Sequence, residues 1–196
     1  RRVRLNGEAS NHPDGSLTIH AKQVYSNCPR YIQEREAPDL QTAATPQPVW
    51  QSPGQQSKEL SDAQAAWIGR ADTLFIATAH PTYGADASHR GGMPGFVRVE
   101  GPRQIAIPGY DGNRMFTTLG NIAAEPSTGL LFPDFGSGNV LMLTGRAWVN
   151  WDKSRAAELP GAQRVVEYEI DETLELQGAL PAGWEFKSYS PYNPEL

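Results

Sequence analysis

The chain has 196 residues, with 17 Lys and Arg against 22 Asp and Glu and a formal net charge of −5. That length suits one domain, or one domain plus part of another, and the acidic balance excludes an electrostatic nucleic-acid binder, which needs a basic face. Its 19 Gly and 16 Pro mark a turn-rich β protein, no apolar stretch exceeds strand length, and the single Cys28 excludes a disulfide framework or a four-cysteine zinc site. With no signal-peptide pattern at the start, the expectation is a soluble, cytoplasmic protein with no membrane or nucleic-acid partner.

Residues 2–9 alternate in part and run into His12-Pro-Asp-Gly-Ser16, a hairpin turn signal. Residues 17–25 then alternate apolar and polar, as a half-buried strand does. Asn27-Cys28-Pro29 reads as the start of a short helix over 30–36, with Asn27 or Ser26 as cap and Ala37-Pro38 as its end. Residues 38–60 are mostly Gln, Pro, Ala, Ser and Thr and read as a linker or surface loop. Ser61 caps a helix over Asp62–Arg70, followed by an apolar strand over 74–80 and a Gly/Ser/His loop over 81–94. Residues 96–100 pair with 104–108 through Gly101-Pro-Arg103. Met115, Leu119 and Ile122 give helical spacing to 113–124, which Gly120 weakens. Residues 129–135 and 140–149 flank the turn Gly136-Ser-Gly-Asn139, a short helix over 153–159 leads to a strand over 164–170, and the tail from 180 is rich in Pro, Asn and aromatic residues.

One feature is internal. Leu5-Asn-Gly-Glu-Ala9 matches Leu143-Thr-Gly-Arg-Ala147, and each is followed by a break and an alternating strand. The repetition predicts residues 1–37 as the closing strands and helix of an incomplete first copy. Residues 38–60 are then a linker, and 61–196 a complete second copy with a C-terminal tail.

The order helix, strand, Gly/His loop, hairpin, helix ending in Pro, hairpin is that of a small six-stranded Greek-key barrel: mainly β with a few short helices. Within it stand Asp86-Ala-Ser-His-Arg-Gly-Gly-Met-Pro-Gly-Phe-Val-Arg-Val99, Met115-Phe-Thr-Thr-Leu-Gly-Asn-Ile122, Gly129-Leu-Leu-Phe-Pro-Asp-Phe135 and Leu143-Thr-Gly-Arg-Ala147. These words resemble the pyridoxamine 5′-phosphate oxidase-like, FMN-binding split-barrel family. Tyr25-Ser-Asn-Cys-Pro-Arg-Tyr-Ile32 and Ser190-Pro-Tyr-Asn-Pro194 resemble its tandem-copy branch. The resemblance implies an FMN-dependent oxidoreductase of unknown substrate. It also implies a split barrel packed on a second barrel with FMN between them, hence a homodimer here, and a nicotinamide electron donor. The alternative is a non-catalytic flavin or haem binder, or a cofactor-free assembly module.

The residues read as cofactor ligands are His89, Arg90, Gly91, Arg114, Thr117, Thr118, Asn121, Asn27 and Arg30. Thr117 and Thr118 occupy the place where pyridoxamine phosphate oxidases carry an Arg-Lys pair on the phosphate. Hydroxyls and amides still bond a phosphate there, but each absent cation removes a charge-assisted bond of roughly 1.5–3 kcal/mol. Arg90 or Arg114 from neighbouring loops would compensate. His89-Arg90-Gly91-Gly92 is a cofactor loop with room for close backbone approach, or else a plain turn with a solvated Arg. Asn121 bonds the cofactor or satisfies a turn, Met115 and Phe116 suit the core, and Asn27 and Arg30 face the groove or are a helix cap and a surface charge. Trp184 and the Ser190–Pro194 tail cover a barrel mouth or dimer seam, and Gly183 stands where those oxidases place a substrate arginine. No side chain presents itself as an acid or base, and no metal is expected, since nothing fixes the spacing of His80, Asp86 and His89. Asp86, Ser88 and His89, adjacent in sequence, make a poor hydrolase triad. Cys28 is a reactive thiol at a helix start or a small buried apolar residue. Gly136-Ser-Gly138 is a hairpin turn, not a phosphate loop.

Overall fold

Two alternating runs around His12-Pro-Asp-Gly-Ser16 give an antiparallel hairpin, β1 (Val3–Asn11) and β2 (Leu17–Ser26). Gly15 takes φ +82° in the turn, and Asp14 Oδ1 accepts from the Ser16 amide at 2.9 Å. Leu5 pairs with Val24, Ala9 with Ile19 and Asn11 with Leu17, so the apolar side chains share one face. That face is open: Val3, Leu5, Leu17, Ile19 and Val24 are all exposed. The computed structural model describes residues 3–39, 54–112 and 114–195. It divides the chain into a first unit, Arg1–Arg30, and a second, Tyr31–Leu196.

No helix forms over 30–36. Tyr31 has φ 63°, which stops a right-handed helix, and Glu34–Glu36 is a short strand, β3. Most of the expected linker falls outside the described residues, but Gly54–Ser57 is a strand, β4. Helix α1 (Asp62–Arg70) begins as its sequence dictates. Ser61 Oγ accepts from the Gln64 amide at 3.2 Å, and Gln64 Oε1 accepts from the Ser61 amide at 3.1 Å, a reciprocal capping box.

Strand β5 (Thr73–His80) is joined over its whole length by β6 (Gly84–Gly91), where the sequence reads as a loop. Ala-Asp-Ala-Ser-His-Arg lacks the β-branched residues that advertise a strand, and the open edge of β5 supplies the pairing instead. The expected hairpin is β7 (Arg98–Gly101) with β8 (Gln104–Gly109). Helix α2 (Thr117–Ala124) starts later than its apolar spacing suggests, and Gly120 sits exposed on it. Strands β9 (Ser127–Pro133) and β10 (Val140–Asn150) form the next hairpin, α3 (Lys153–Ala157) follows, and β11 runs thirteen residues, Arg164–Leu176. β12 (Glu185–Ser188) pairs with β3.

All pairings are antiparallel. The main sheet has eight strands in the order β6-β5-β9-β10-β11-β8-β7, with β4 on the far half of β11. This exceeds the six strands expected, because β4 and β6, which the sequence reads as linker and loop, join it. Among the described residues no pairing joins β6 to β7, so no closed barrel is seen. Its inner face and the helices enclose Trp67, Ile68, Leu74, Ile76, Phe132, Leu141, Leu143, Tyr168 and Ile170. The buried Tyr168 hydroxyl donates to Thr128 O at 2.9 Å.

The two repeated words lie at the same structural feature. The ladder of β1 and β2 shifts register between Asn6 and Gly7, and that of β10 and β11 shifts between Thr144 and Gly145. A Cβ on Gly7 would land on the His20 carbonyl oxygen, and one on Gly145 on that of Glu169. Counting from these bulges, Leu17 and Ile19 correspond to Val166 and Tyr168, which are buried in the second unit. The hairpin therefore presents as surface what its counterpart uses as core.

Arg155 clasps α3 to the sheet: its Nη2 reaches Glu100 Oε1 at 2.7 Å and its Nε reaches Glu167 Oε1 at 2.8 Å. Arg98 adds a bond from Nη2 to Glu158 Oε2 at 2.8 Å. Burial pushes the Glu100 carboxyl up, but hydrogen bonds from Arg155 and Arg98 outweigh it and hold the group below its ordinary value of 4.5. A carboxyl depressed in the folded state stabilises above its unfolded pKa and loses that contribution as pH falls through the folded one. Glu100→Gln should therefore cost about 1 kcal/mol at pH 7 and flatten the loss of stability below pH 4.5. Urea melts at pH 7 and pH 3 check this, and an unchanged acid limb refutes it.

Candidate functional site

Because β6 is a strand, His89 and Arg90 point to opposite faces. Asp86, Ser88 and Arg90 stand opposite Thr78, Ile76 and Leu74 of β5 and share their inner face. There Asp86 and Thr78 are buried, and α2 brings Thr118 and Asn121 down beside β5. Asn121 Nδ2 donates to Thr78 Oγ1 at 3.1 Å, and Ser88 Oγ donates to Asp86 Oδ2 at 3.2 Å. The guanidinium of Arg90 donates from Nη1 to the His89 carbonyl at 3.0 Å. Six polar residues thus gather beside one helix, and the four that are buried, Thr78, Asp86, Thr118 and Asn121, stand where burial demands a hydrogen-bond partner.

His89 belongs to the other face, its ring edge-on to Phe75 at 5.8 Å. With Ser88 and Asp86 inside and His89 outside, no triad forms. Phe75 opens an apolar row that crosses the sheet through Leu131 and Met142 to Leu174, each opposite the next. Phe75 is exposed, and the other three are half-buried.

Gly91 is a glycine for a reason internal to the chain. A Cβ there would land on the Tyr31 carbonyl oxygen and lie 3.1 Å from that of Asp72. The close approach expected of a cofactor is made by residues 31–33. Gln33 is buried, and its Nε2 donates to Gly92 O at 3.0 Å and Asp72 O at 3.3 Å. Its Oε1 accepts from the Ser190 amide at 2.9 Å and Asn193 Nδ2 at 3.0 Å. Arg35 pairs with Asp72 at 2.5 Å and stacks over Phe135 at 4.3 Å, and Trp184 meets the same Phe135 ring at 5.7 Å. Residues 30–36 read as a helix in the sequence, and the one signal there of this strap, Gln33 next to an apolar pair, is weak.

The approach to α2 forms a second grouping. Arg114 is exposed with φ 59°, and Phe116 opens the helix without a side-chain cap, ahead of half-buried Thr117 and buried Thr118. The cation that meets this end is Arg164, which sequence reading placed only as a strand residue. Its guanidinium lies between the rings of Phe116 and Trp151, at 5.4 and 5.3 Å. Next to it in the β8 strand end, burial and the neighbouring Tyr31 push the Tyr110 hydroxyl up to about 12. Tyr110 Oη and Arg164 Nε are buried without hydrogen-bond partners.

Asn27 and Arg30 belong to the first unit, where both are half-buried. Cys28 is likewise half-buried, with no helix beginning there. Among the described residues, no three His, Cys, Asp or Glu side chains come together as a metal site. No described helix is long and apolar enough to cross a membrane.

No family model and no curated protein matches the sequence. Solved structures do match. HupZ of Group A Streptococcus is 13% identical with a TM-score of 0.50, over 63% of this chain and 99% of that one. The chain shares the fold of HupZ. A putative pyridoxamine 5′-phosphate oxidase of Lactobacillus delbrueckii is 18% identical with a TM-score of 0.47, over 60% of this chain and 94% of that one. A FAD-binding protein of Mesorhizobium loti follows at 11% identity and a TM-score of 0.43, over 62% and 96% of the two chains. At 13% identity the likeness to HupZ is one of fold alone.

Proposed function

We propose that this protein is an FMN-binding oxidoreductase built on a Greek-key split barrel. The observation that carries the reading is the polar group of Thr78, Asp86, Arg90, Thr118 and Asn121 beneath α2, beside a helix opening left uncapped. A flavin nucleotide joins an apolar ring with polar edges to a phosphate, and a site for it needs apolar walls, a few fixed polar groups and anion donors. The residues present fit that need: Thr117 and Thr118 offer hydroxyls and amides, Arg114 a nearby cation, and Arg90 and Asn121 polar groups for the ring or ribityl chain. When bound, FMN supplies two-electron redox chemistry, while the chain binds and orients it.

The apolar row of Phe75, Leu131, Met142 and Leu174 suits contact with a second barrel, so the active form in this reading is a homodimer with the cofactor at the seam. The hairpin of residues 1–30, which repeats the bulge of β10 and β11, is read as the closing strands of a first copy. A cytoplasmic setting and a nicotinamide donor complete the proposal.

An absorbance scan of purified protein, before and after incubation with FMN and desalting, tests it. The flavin bands in the blue and near-ultraviolet should appear and should bleach with NADH or NADPH and return in air. A flavin retained but not turned over by any reductant makes the protein a carrier. No retained band refutes the reading.

A further inference from the structure

We infer that Arg164 is the phosphate receptor of this site, presented to a phosphate monoester by the rings of Phe116 and Trp151. The inference rests on the flavin-nucleotide reading above and adds to the exposed Arg114 a cation whose guanidinium is held in place. Thr117 and Thr118 carry no charge, and Arg90 is turned inward and bonded to its own strand. Arg164 is different. Two aromatic faces fix the plane of its guanidinium, and Gln163 Oε1 accepts from Nη2 at 2.7 Å. No described carboxylate forms an ion pair with it, whereas Arg35, Arg98, Arg103 and Arg155 each have one. A planar cation held by stacking rather than by an acid keeps its charge and its remaining N–H donors for an anion, and suits the fork geometry of phosphate.

The position is also right. Arg164 stands opposite Gly109 where β11 begins, and a Cβ on Gly109 would lie against its Cγ, so the glycine makes room for the side chain. Phe116, one of its two rings, is the residue that opens α2, so a phosphate on Arg164 meets the first amides and hydroxyls of Thr117 and Thr118. Both rings remain near half exposed, Phe116 at 48% and Trp151 at 61%, so the receptor is open to a ligand.

Titrations of the wild-type chain, Arg164→Gln and Arg164→Lys with FMN, riboflavin and inorganic pyrophosphate, followed by tryptophan fluorescence, test this. Arg164→Gln should weaken FMN roughly 10- to 100-fold, the loss of one charge-assisted contact, and leave riboflavin unchanged. Arg164→Lys should recover part of the loss. FMN binding that Arg164→Gln does not alter overturns the receptor and leaves the flavin reading standing. Pyrophosphate binding that depends on Arg164, with no binding of either flavin, supports the receptor and ends the flavin reading. Failure of wild type to bind FMN or pyrophosphate overturns both. If Arg164→Gln melts early, Trp151→Ala replaces it. That change removes one exposed ring and should weaken FMN several-fold without touching riboflavin, and an unaltered FMN affinity again overturns the receptor.

Discussion

Gly145→Ala is expected to disrupt the second unit, whereas Gly7→Ala, the same change in the same motif, is expected to leave it intact. Each glycine sits at a bulge where an added Cβ would land on a partner-strand carbonyl oxygen, that of Glu169 or His20. Real Cβ atoms do not come within 3.0 Å of such neighbours, and a backbone carbonyl cannot swing aside. The strand pair must separate locally. At Gly145 that pair is β10 with β11 in the middle of the sheet, flanked by Tyr168 and Ile170, which are essentially buried. The cost should be at least about 3 kcal/mol, the upper range of overpacking in a core. At Gly7 the pair is an exposed two-stranded hairpin, marginal by itself, so its distortion has little to lose. All five tryptophans, at 50, 67, 148, 151 and 184, lie outside residues 1–30, so tryptophan emission during urea unfolding reports the second unit alone. A lower midpoint for Gly145→Ala with an unchanged one for Gly7→Ala is the expected result. Equal losses would mean that the two units share one core.

Those two glycines also show what the sequence made legible. The five-residue match located a structural feature, because a bulge glycine with a carbonyl against it is a strict local demand that tolerates no substitute. The Ser61 capping box was legible for the same reason: both halves of it lie within four residues. Where the deciding partner is distant, the pattern was silent. Residues 30–36 carry a plausible helix start, yet Gln33 and Arg35 are claimed by Asp72, Gly92 and Ser190 from elsewhere in the fold. Residues 84–91 lack strand propensity and pair only because β5 has an open edge. A loop there would let His89 and Arg90 converge on one site, and the strand sends them apart. Arg164 was invisible as a candidate because its significance lies in two rings, Phe116 and Trp151, that no spacing connects to it.

Gln33→Leu should be about as damaging as Gly145→Ala, by removing partners rather than adding an atom. Gln33 is 6% exposed and serves as both donor and acceptor. Leucine fills a similar volume but strands the carbonyls of Asp72 and Gly92, the Ser190 amide and Asn193 Nδ2 in a place water does not reach freely. Each buried polar group left alone costs about 1–3 kcal/mol, so the total should be on the order of 3–5 kcal/mol after local relaxation. Gln33→Glu separates this polar role from packing. It keeps the acceptor oxygen, but at neutral pH it sets a carboxylate against the carbonyl oxygens of Tyr31, Asp72 and Gly92. Only the protonated acid can donate to them, which raises the carboxyl's folded pKa above its unfolded one. A group raised in this way costs stability as pH rises and returns it as pH falls. Measured against wild type at each pH, the deficit of Gln33→Glu should therefore shrink between pH 7 and pH 4, while that of Gln33→Leu stays constant. Parallel deficits for the two variants would assign Gln33 a packing role only. Because Gln33 holds Gly92, two residues beyond Arg90, the same pH series should also restore ligand binding to Gln33→Glu as the strap re-forms.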